Sequence, residues 1–187
     1  SLPVDIEGVF GRNHVYASLA TLALAAGLKL NILNAIDSLK NYEVPPGRVR
    51  LLKGIQGSLI IDDTYNSSPV ACKHALLTLG QVKCSGRKIA ILGDMLELGR
   101  HTIETHKDVG KIAKENCDVL VVVGPRAKSI KEGALEVGIK ENSIFEFLDS
   151  NEAAKFTENF IQKGDLVLVK GSQGMRMERI VEAILLD

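Results

Sequence analysis

The chain has 187 residues, of which 45% are hydrophobic, so it can bury a substantial core without disulfides or bound metal. Its 23 basic and 23 acidic residues cancel, and this balance provides no positive field of the kind that holds nucleic acid. The longest apolar runs, such as Val119–Val123, are too short to cross a bilayer, and no basic segment followed by a long hydrophobic one opens the chain. We therefore expect a cytoplasmic protein with no nucleic-acid partner and no membrane span.

The first part of the chain predicts a pair of helices. Residues 16–26 are almost all small or apolar helix formers, and Gly27 supplies a stop. Asn31 can then cap a second, amphipathic segment. Two helices of this length cannot bury their apolar faces against each other alone, so they look like the end of a domain whose body lies upstream.

A domain boundary is predicted near residue 46. Two prolines and a glycine at residues 45–47 break the helical pattern, and short β-like segments follow them. We interpret residues 1–46 as the helical tail of an upstream domain and residues 47–187 as a domain of its own.

After this boundary, short apolar segments alternate with amphipathic ones. Residues 49–53 and 58–62 flank a turn with glycine at both ends and predict a β-hairpin. Further strands are predicted at residues 89–92, 119–123, 144–148 and 166–169. Helices are predicted at residues 69–79, 102–115, 127–137, 152–162 and 176–185. Near-continuous apolar strands between amphipathic helices are typical of a parallel sheet covered on both faces by right-handed crossovers, so the expected fold class is α/β, doubly wound and Rossmann-like.

The cysteines and histidines do not predict a metal site. Cys72, Cys84 and Cys117 are far apart and lack the CxxC spacing of a zinc knuckle or redox pair, so we interpret them as structural thiols in a reducing compartment. His101 and His106 are five residues apart, whereas the zinc-binding HExxH motif needs a separation of four.

Polar residues and glycines follow each of the predicted parallel strands. Because the carboxyl ends of parallel strands meet at one edge of a sheet, where open α/β sheets bind ligands, we predict a site at this edge. Gly124 and Asp149 are more typical of a turn and a helix cap than of a ligand contact. The full set is Asp62 and Asp63, Gly93 and Asp94, Gly124, Asp149, and the segment 170–172.

The segment Asp62-Asp63-Thr64-Tyr65-Asn66-Ser67-Ser68-Pro69 is the richest of these groups. A carboxylate can accept hydrogen bonds from ribose hydroxyls, and an aromatic ring beside an amide suits a purine. The alternative is a plain loop in which Ser68 caps a helix that begins at Pro69, and the sequence leaves both open. Neither GxGxxG nor GxxxxGK[ST] occurs, so the phosphates of a bound ATP would have to be held elsewhere.

Four ordered motifs resemble the C-terminal domain of the Mur ligase family. They are Pro46-Gly47-Arg48, Asp62-Asp63-Thr64-Tyr65-Asn66, the GDMLELG string at residues 93–99, and Lys170-Gly171-Ser172. The resemblance covers nearly the whole chain, including residues 11–24, which are similar to the helix that closes the family's central ATPase domain. TYN and GDMLELG are its specific part, and they are most similar to the members that add D-alanyl-D-alanine.

The resemblance implies an ATP-dependent and Mg²⁺-dependent ligase of peptidoglycan precursor synthesis. Such an enzyme phosphorylates UDP-N-acetylmuramoyl-tripeptide and joins the acyl phosphate to D-alanyl-D-alanine. The phosphate-binding loop and the metal ligands would lie in upstream domains of the same chain, so residues 1–187 alone are expected to be inactive. The implied nucleotide contacts are Arg48, Asp63, Tyr65, Asn66, Asn13 and His14. The implied dipeptide pocket consists of Asp94, Met95, Glu97, Leu98, His106, Lys170 and Ser172.

Two alternatives remain. The chain could belong to another Mur ligase or to a folylpolyglutamate-synthase-like amide ligase of the same architecture. It could also be a nucleotide-binding module that has kept the fold without the chemistry.

Overall fold

The computed structural model describes residues 3–6 and 11–186. The first two helices are α1 (Arg12–Gly27) and α2 (Ile32–Leu39). Asn31 caps α2 as predicted, because its side-chain oxygen accepts hydrogen bonds from Leu33 N at 3.0 Å and Asn34 N at 3.4 Å. Large apolar side chains of this helical pair remain exposed, including Val15, Leu19, Leu24 and Leu33. Their exposure fits the expectation that the pair does not bury its own apolar faces.

The strands of the described residues form one six-stranded sheet. The strands are β1 (Arg50–Lys53), β2 (Leu59–Asp63), β3 (Lys88–Gly93), β4 (Val119–Val123), β5 (Ile144–Phe147) and β6 (Leu166–Lys170). Their order across the sheet is β1-β2-β6-β3-β4-β5. β1 is antiparallel to β2 and all other pairs are parallel, so the predicted hairpin and the predicted parallel sheet are both confirmed.

The five helices that follow β2 cover both faces of the sheet. They are α3 (Pro69–Gln81), α4 (Thr102–Ala113), α5 (Lys128–Glu136), α6 (Ser150–Phe160) and α7 (Glu178–Ile184). The first three pack on one face and the last two on the other, which confirms the doubly wound α/β fold. α6 begins at Ser150, two residues before its predicted start, because the Asp149 side chain accepts from Asn151 N and Glu152 N and caps the helix there.

Side chains along each central strand alternate between the two apolar layers. In β3, Ala90 and Leu92 pack beneath α3, α4 and α5, whereas Ile89 and Ile91 pack beneath α6 and α7. All four are fully buried, and burying a side chain as large as isoleucine or leucine contributes about 1.5–3 kcal/mol. The two layers therefore fix the register of the strands, and this determines where the loops at their carboxyl ends begin.

The position of β6 decides where the loops open. β6 lies between β2 and β3, so Lys170 is level with Asp63 on one side and with Leu92 on the other. The chain leaves β3 toward α4 on one face and leaves β6 toward α7 on the other. Loops that diverge in this way open a crevice at the carboxyl ends of the strands, which is where open α/β sheets bind ligands.

Candidate functional site

A buried ion pair lies at the carboxyl end of β6. Lys170 Nζ donates to Asp63 Oδ2 at 2.6 Å and to the backbone oxygen of Asn66 at 2.9 Å. The side chain of Lys170 is 2% exposed and that of Asp63 is 14% exposed. Burial raises the pKa of Asp63 above its ordinary value, while the Lys170 ammonium acts in the opposite direction. The pair therefore joins two strand ends, and its charges are largely compensated by each other.

The neighbouring carboxylate of Asp62 has a different role. Its Oδ2 accepts from Gly47 N at 2.9 Å, and its Oδ1 accepts from Thr64 Oγ1 at 2.7 Å. The Gly47 oxygen in turn accepts from Tyr65 N at 3.0 Å. Gly47 has a φ of +72°, and a Cβ on it would lie 2.7 Å from Tyr65 N, so a side chain does not fit there. Asp62 thus fastens the loop before β1 to the end of β2.

The DDTYN motif does not by itself show that the two adjacent aspartates have different partners. The signal that could have done so is the alternation of side chains along a strand, which turns Asp62 and Asp63 toward opposite faces of the sheet. One carboxylate then faces the Gly47 loop and the other faces Lys170.

Arg48 is in contact with two other segments. Its guanidinium carbon lies 4.2 Å from the centre of the Tyr65 ring. Its backbone oxygen is 3.0 Å from Nε2 of His14, whose Nδ1 is 3.2 Å from the Tyr42 hydroxyl. Because a carbonyl oxygen can only accept, His14 donates through Nε2, and in the neutral tautomer that carries this proton Nδ1 accepts from the Tyr42 hydroxyl. The buried His14 ring therefore links α1 to the loop before β1.

A groove of about 870 Å³ opens beside these contacts, between α1 and α3. Most of the residues predicted for the nucleotide line it, together with Lys170 from the predicted dipeptide pocket. They are His14, Arg48, Asp63, Tyr65, Asn66 and Lys170. The side chain of Asn13, the remaining predicted nucleotide contact, lies outside the described part of the chain.

The loop after β2 contains the helix cap that the sequence predicts at Ser68. Ser68 caps α3, because its hydroxyl accepts from Ala71 N at 3.3 Å. Asn66 Oδ1 accepts from Ser67 N at 2.8 Å. The loop is therefore a capped turn, and the same turn forms part of the groove wall.

A second cluster lies at the end of β3. Asp94 is almost fully buried, and its Oδ1 accepts from Ala127 N at 2.7 Å. Its Oδ2 lies 3.5 Å from Arg126 NH1. The loops after β3 and β6 are tied together, since Ser172 N donates to Asp94 O at 3.1 Å and Leu96 N donates to Ser172 Oγ at 2.9 Å. Arg126 was not predicted from the sequence, because no local pattern relates it to a residue 32 positions away.

His106 supports this loop from beneath. It is fully buried, accepts from Met95 N through Nε2 at 3.0 Å, and donates through Nδ1 to Thr102 O at 2.6 Å. Burial lowers the pKa of His106 below its ordinary value, which favours the neutral ring that this pair of hydrogen bonds requires. Met95 is also fully buried, whereas Glu97 is exposed and has a φ of +65°.

The predicted dipeptide residues therefore fall into three groups. Asp94, Met95 and His106 are buried and determine the shape of the loop after β3, whereas Glu97 is exposed and Leu98 is half-buried. Lys170 and Ser172 connect this cluster with the groove, because they are two residues apart at the end of β6.

The described residues contain neither a metal-binding cluster nor a membrane-spanning helix. In residues 3–6 and 11–186, no three His, Cys, Asp and Glu side chains are grouped closely enough to hold a metal ion. The helices in these ranges are all too short or too polar to cross a membrane.

The chain is similar to known proteins along most of its length. The profile of the family described as Mur ligase, glutamate ligase domain, matches residues 47–173. UDP-N-acetylmuramoyl-tripeptide--D-alanyl-D-alanine ligase from Bacillus subtilis is 30% identical over 178 residues, which cover 95% of this chain and 39% of the relative.

Solved structures show the same similarity. The MurF ligase of Thermotoga maritima in complex with ADP has a TM-score of 0.78 at 30% identity, over 96% of this chain and 39% of that one. A crystal structure of MurF from Acinetobacter baumannii has a TM-score of 0.83 at 28% identity, also over 96% and 39%. The chain thus spans about two fifths of the length of the relatives it matches. The resemblance inferred from the four sequence motifs is confirmed, and the chain belongs to the Mur ligase family.

Proposed function

We propose that this chain is the C-terminal domain of a cytoplasmic, ATP-dependent ligase that joins D-alanyl-D-alanine to UDP-N-acetylmuramoyl-tripeptide. The observation that carries the proposal is 30% identity to a ligase of that name over 95% of the chain. The GDMLELG and TYN motifs support it, because both lie in loops at the carboxyl edge of the sheet. The division into a helical tail at residues 1–46 and a ligase domain at 47–187 is part of the same proposal.

The groove beside α1 and α3 is the proposed nucleotide site. The Arg48 guanidinium suits the negative charge of phosphates, and the Asp63 carboxylate suits ribose hydroxyls. Asn66, Tyr65, His14 and, by the family resemblance, Asn13 complete the proposed set. The ADP complex of the Thermotoga maritima ligase supports the choice of ligand.

The use of Mg²⁺ is proposed from the resemblance to the Mur ligase family alone. By that resemblance, its ligands are expected in upstream domains and on ATP itself. Those domains would also supply the phosphate-binding loop.

The loops after β3 and β6 form the proposed dipeptide pocket. Glu97, Leu98 and Ser172 belong to its wall, while Asp94, Met95 and His106 fix the wall from beneath. Lys170 lies between the two sites. Closing this edge of the sheet over the upstream domain would exclude water, which otherwise hydrolyses an acyl phosphate.

The test is ligation by the full-length protein. We expect ADP release and a new amide only when ATP, the UDP-linked tripeptide and D-alanyl-D-alanine are all present. Arg48→Ala should raise the KM for ATP at least tenfold, since it removes a charged contact worth about 1.5–3 kcal/mol.

Two results would replace the proposal. Turnover with a single amino acid such as glutamate, and none with the dipeptide, would assign the chain to another amide ligase of this architecture. Nucleotide binding without turnover of any amine would indicate a non-catalytic module.

A further inference from the structure

Arg48 is exposed, but contacts with two other segments hold it in place. Its guanidinium carbon lies 4.2 Å from the centre of the Tyr65 ring, and its backbone oxygen accepts from His14 Nε2 at 3.0 Å. The preceding residue, Gly47, donates to Asp62 Oδ2 at 2.9 Å and accepts from Tyr65 N at 3.0 Å. Its neighbour Gly47 and its own side chain are therefore attached to the segment at the end of β2, while its backbone oxygen is attached to α1.

Tyr65 takes part in this arrangement twice. Its backbone N–H holds the loop that carries Arg48, and its ring holds the guanidinium. Tyr65 as a residue is 45% exposed, and one face of its ring is occupied by Arg48. A long, flexible arginine loses rotamer freedom when it binds an anion, and a ring that already holds the guanidinium reduces this loss.

We infer that Tyr65 is a positioning residue for Arg48 and acts on the nucleotide through it, rather than as a stacking partner of the adenine. The inference rests on the proposed nucleotide site. It assigns to the aromatic residue of the TYN motif a role that the sequence alone does not suggest. The guanidinium faces the groove already oriented, so the ring contributes to ATP affinity without touching ATP.

A double-mutant cycle in the full-length protein tests this inference, with the KM for ATP and the affinity for ADP as readouts. Tyr65→Leu removes the ring and should weaken nucleotide binding about two- to fivefold, the range of an exposed cation–π contact. In an Arg48→Ala background the same substitution should weaken binding less than about 1.5-fold, because the ring has no guanidinium to hold. Tyr65→Phe should restore the affinity that Tyr65→Leu loses, since the phenol oxygen is not needed.

The chain offers a matched control in a second arginine–aromatic contact. The guanidinium carbon of Arg87 lies 4.5 Å from the centre of the Phe160 ring, at the other end of the sheet from the groove. Phe160→Leu makes the same kind of truncation and should leave the KM for ATP unchanged. A general loss of folding would affect both variants, whereas a positioning effect appears in Tyr65→Leu alone.

Two outcomes would overturn the inference. Equal losses from Tyr65→Leu with and without Arg48 would show that the ring contacts the nucleotide directly. A Tyr65→Phe variant as weak as Tyr65→Leu would assign the contact to the hydroxyl. Failure of the unmodified full-length protein to bind ATP or ADP is a different result, which refutes the proposed nucleotide site and the inference with it.

Discussion

Replacing Lys170 by alanine would leave the Asp63 carboxylate buried without the ammonium that now lies 2.6 Å from it. Breaking a buried ion pair from one side costs about 3–5 kcal/mol, because the remaining charge keeps its desolvation penalty and loses its partner. Asp63 retains 14% exposure, so we expect the lower end of this range, about 3 kcal/mol. For a chain of 187 residues this corresponds to a fall in Tm of roughly 6–12 °C.

The stability lost in Lys170→Ala should depend on pH. Burial already raises the pKa of Asp63 above 3.8, and loss of the Lys170 ammonium raises it further. A carboxyl whose pKa is raised by folding destabilises the folded state as the pH rises above its unfolded pKa. The stability deficit of Lys170→Ala should therefore be smallest near pH 4, where only the lost packing of the buried lysine stem remains, and should grow progressively toward pH 7.

Urea unfolding of the chain at several pH values measures this effect, and a paired variant serves as control. Asp63→Asn combined with Lys170→Met removes both charges and keeps most of the buried volume, so it should recover most of the lost free energy of unfolding. If Lys170→Ala were as stable as this double variant at pH 7, or if its deficit did not change with pH, the Lys170–Asp63 pair would not stabilise the fold by compensating two buried charges.

Three further predictions concern single residues. Gly47→Ala should lower the free energy of unfolding by at least about 1 kcal/mol more than Gly57→Ala, as measured by urea unfolding. Both glycines have positive φ, but a Cβ at Gly57 meets open space, whereas one at Gly47 lies 2.7 Å from Tyr65 N. His106→Gln should cost about 1–3 kcal/mol near pH 7.5 through lost hydrogen bonds. Because burial lowers the His106 pKa below 6.5, the unmodified chain should lose stability below that pH more steeply than this variant, in thermal unfolding followed by circular dichroism. Burial raises the pKa of Cys117 to about 12, so this thiol should resist iodoacetamide at pH 8 until the chain unfolds, as read by mass spectrometry.

Each of these predictions has an outcome that contradicts it. Equal costs at the two glycines would mean that the backbone around Gly47 relaxes freely. Parallel pH profiles for His106→Gln and the unmodified chain would indicate that this imidazole is not kept neutral by burial. Rapid labelling of Cys117 in the folded chain would show that its thiolate is accessible.

Local sequence patterns determined the elements of the fold. The run at Val119–Val123 is a strand with the predicted bounds, because five consecutive apolar residues, four of them β-branched, match a strand buried on both faces. Asn31 and Ser68 cap the helices they were predicted to cap, because a cap needs only its own side chain and the next few backbone groups. The edge of the sheet that carries the polar loops follows from the parallel arrangement alone.

Only the tertiary structure decided how those loops meet. β6 is last among the strands in sequence but lies between β2 and β3, and this insertion brings Lys170 to a residue 107 positions earlier. The same packing assigns adjacent aspartates to different partners and pairs Asp94 with Arg126. Strand order and register depend on how whole layers pack against one another, so no short stretch of sequence contains that information.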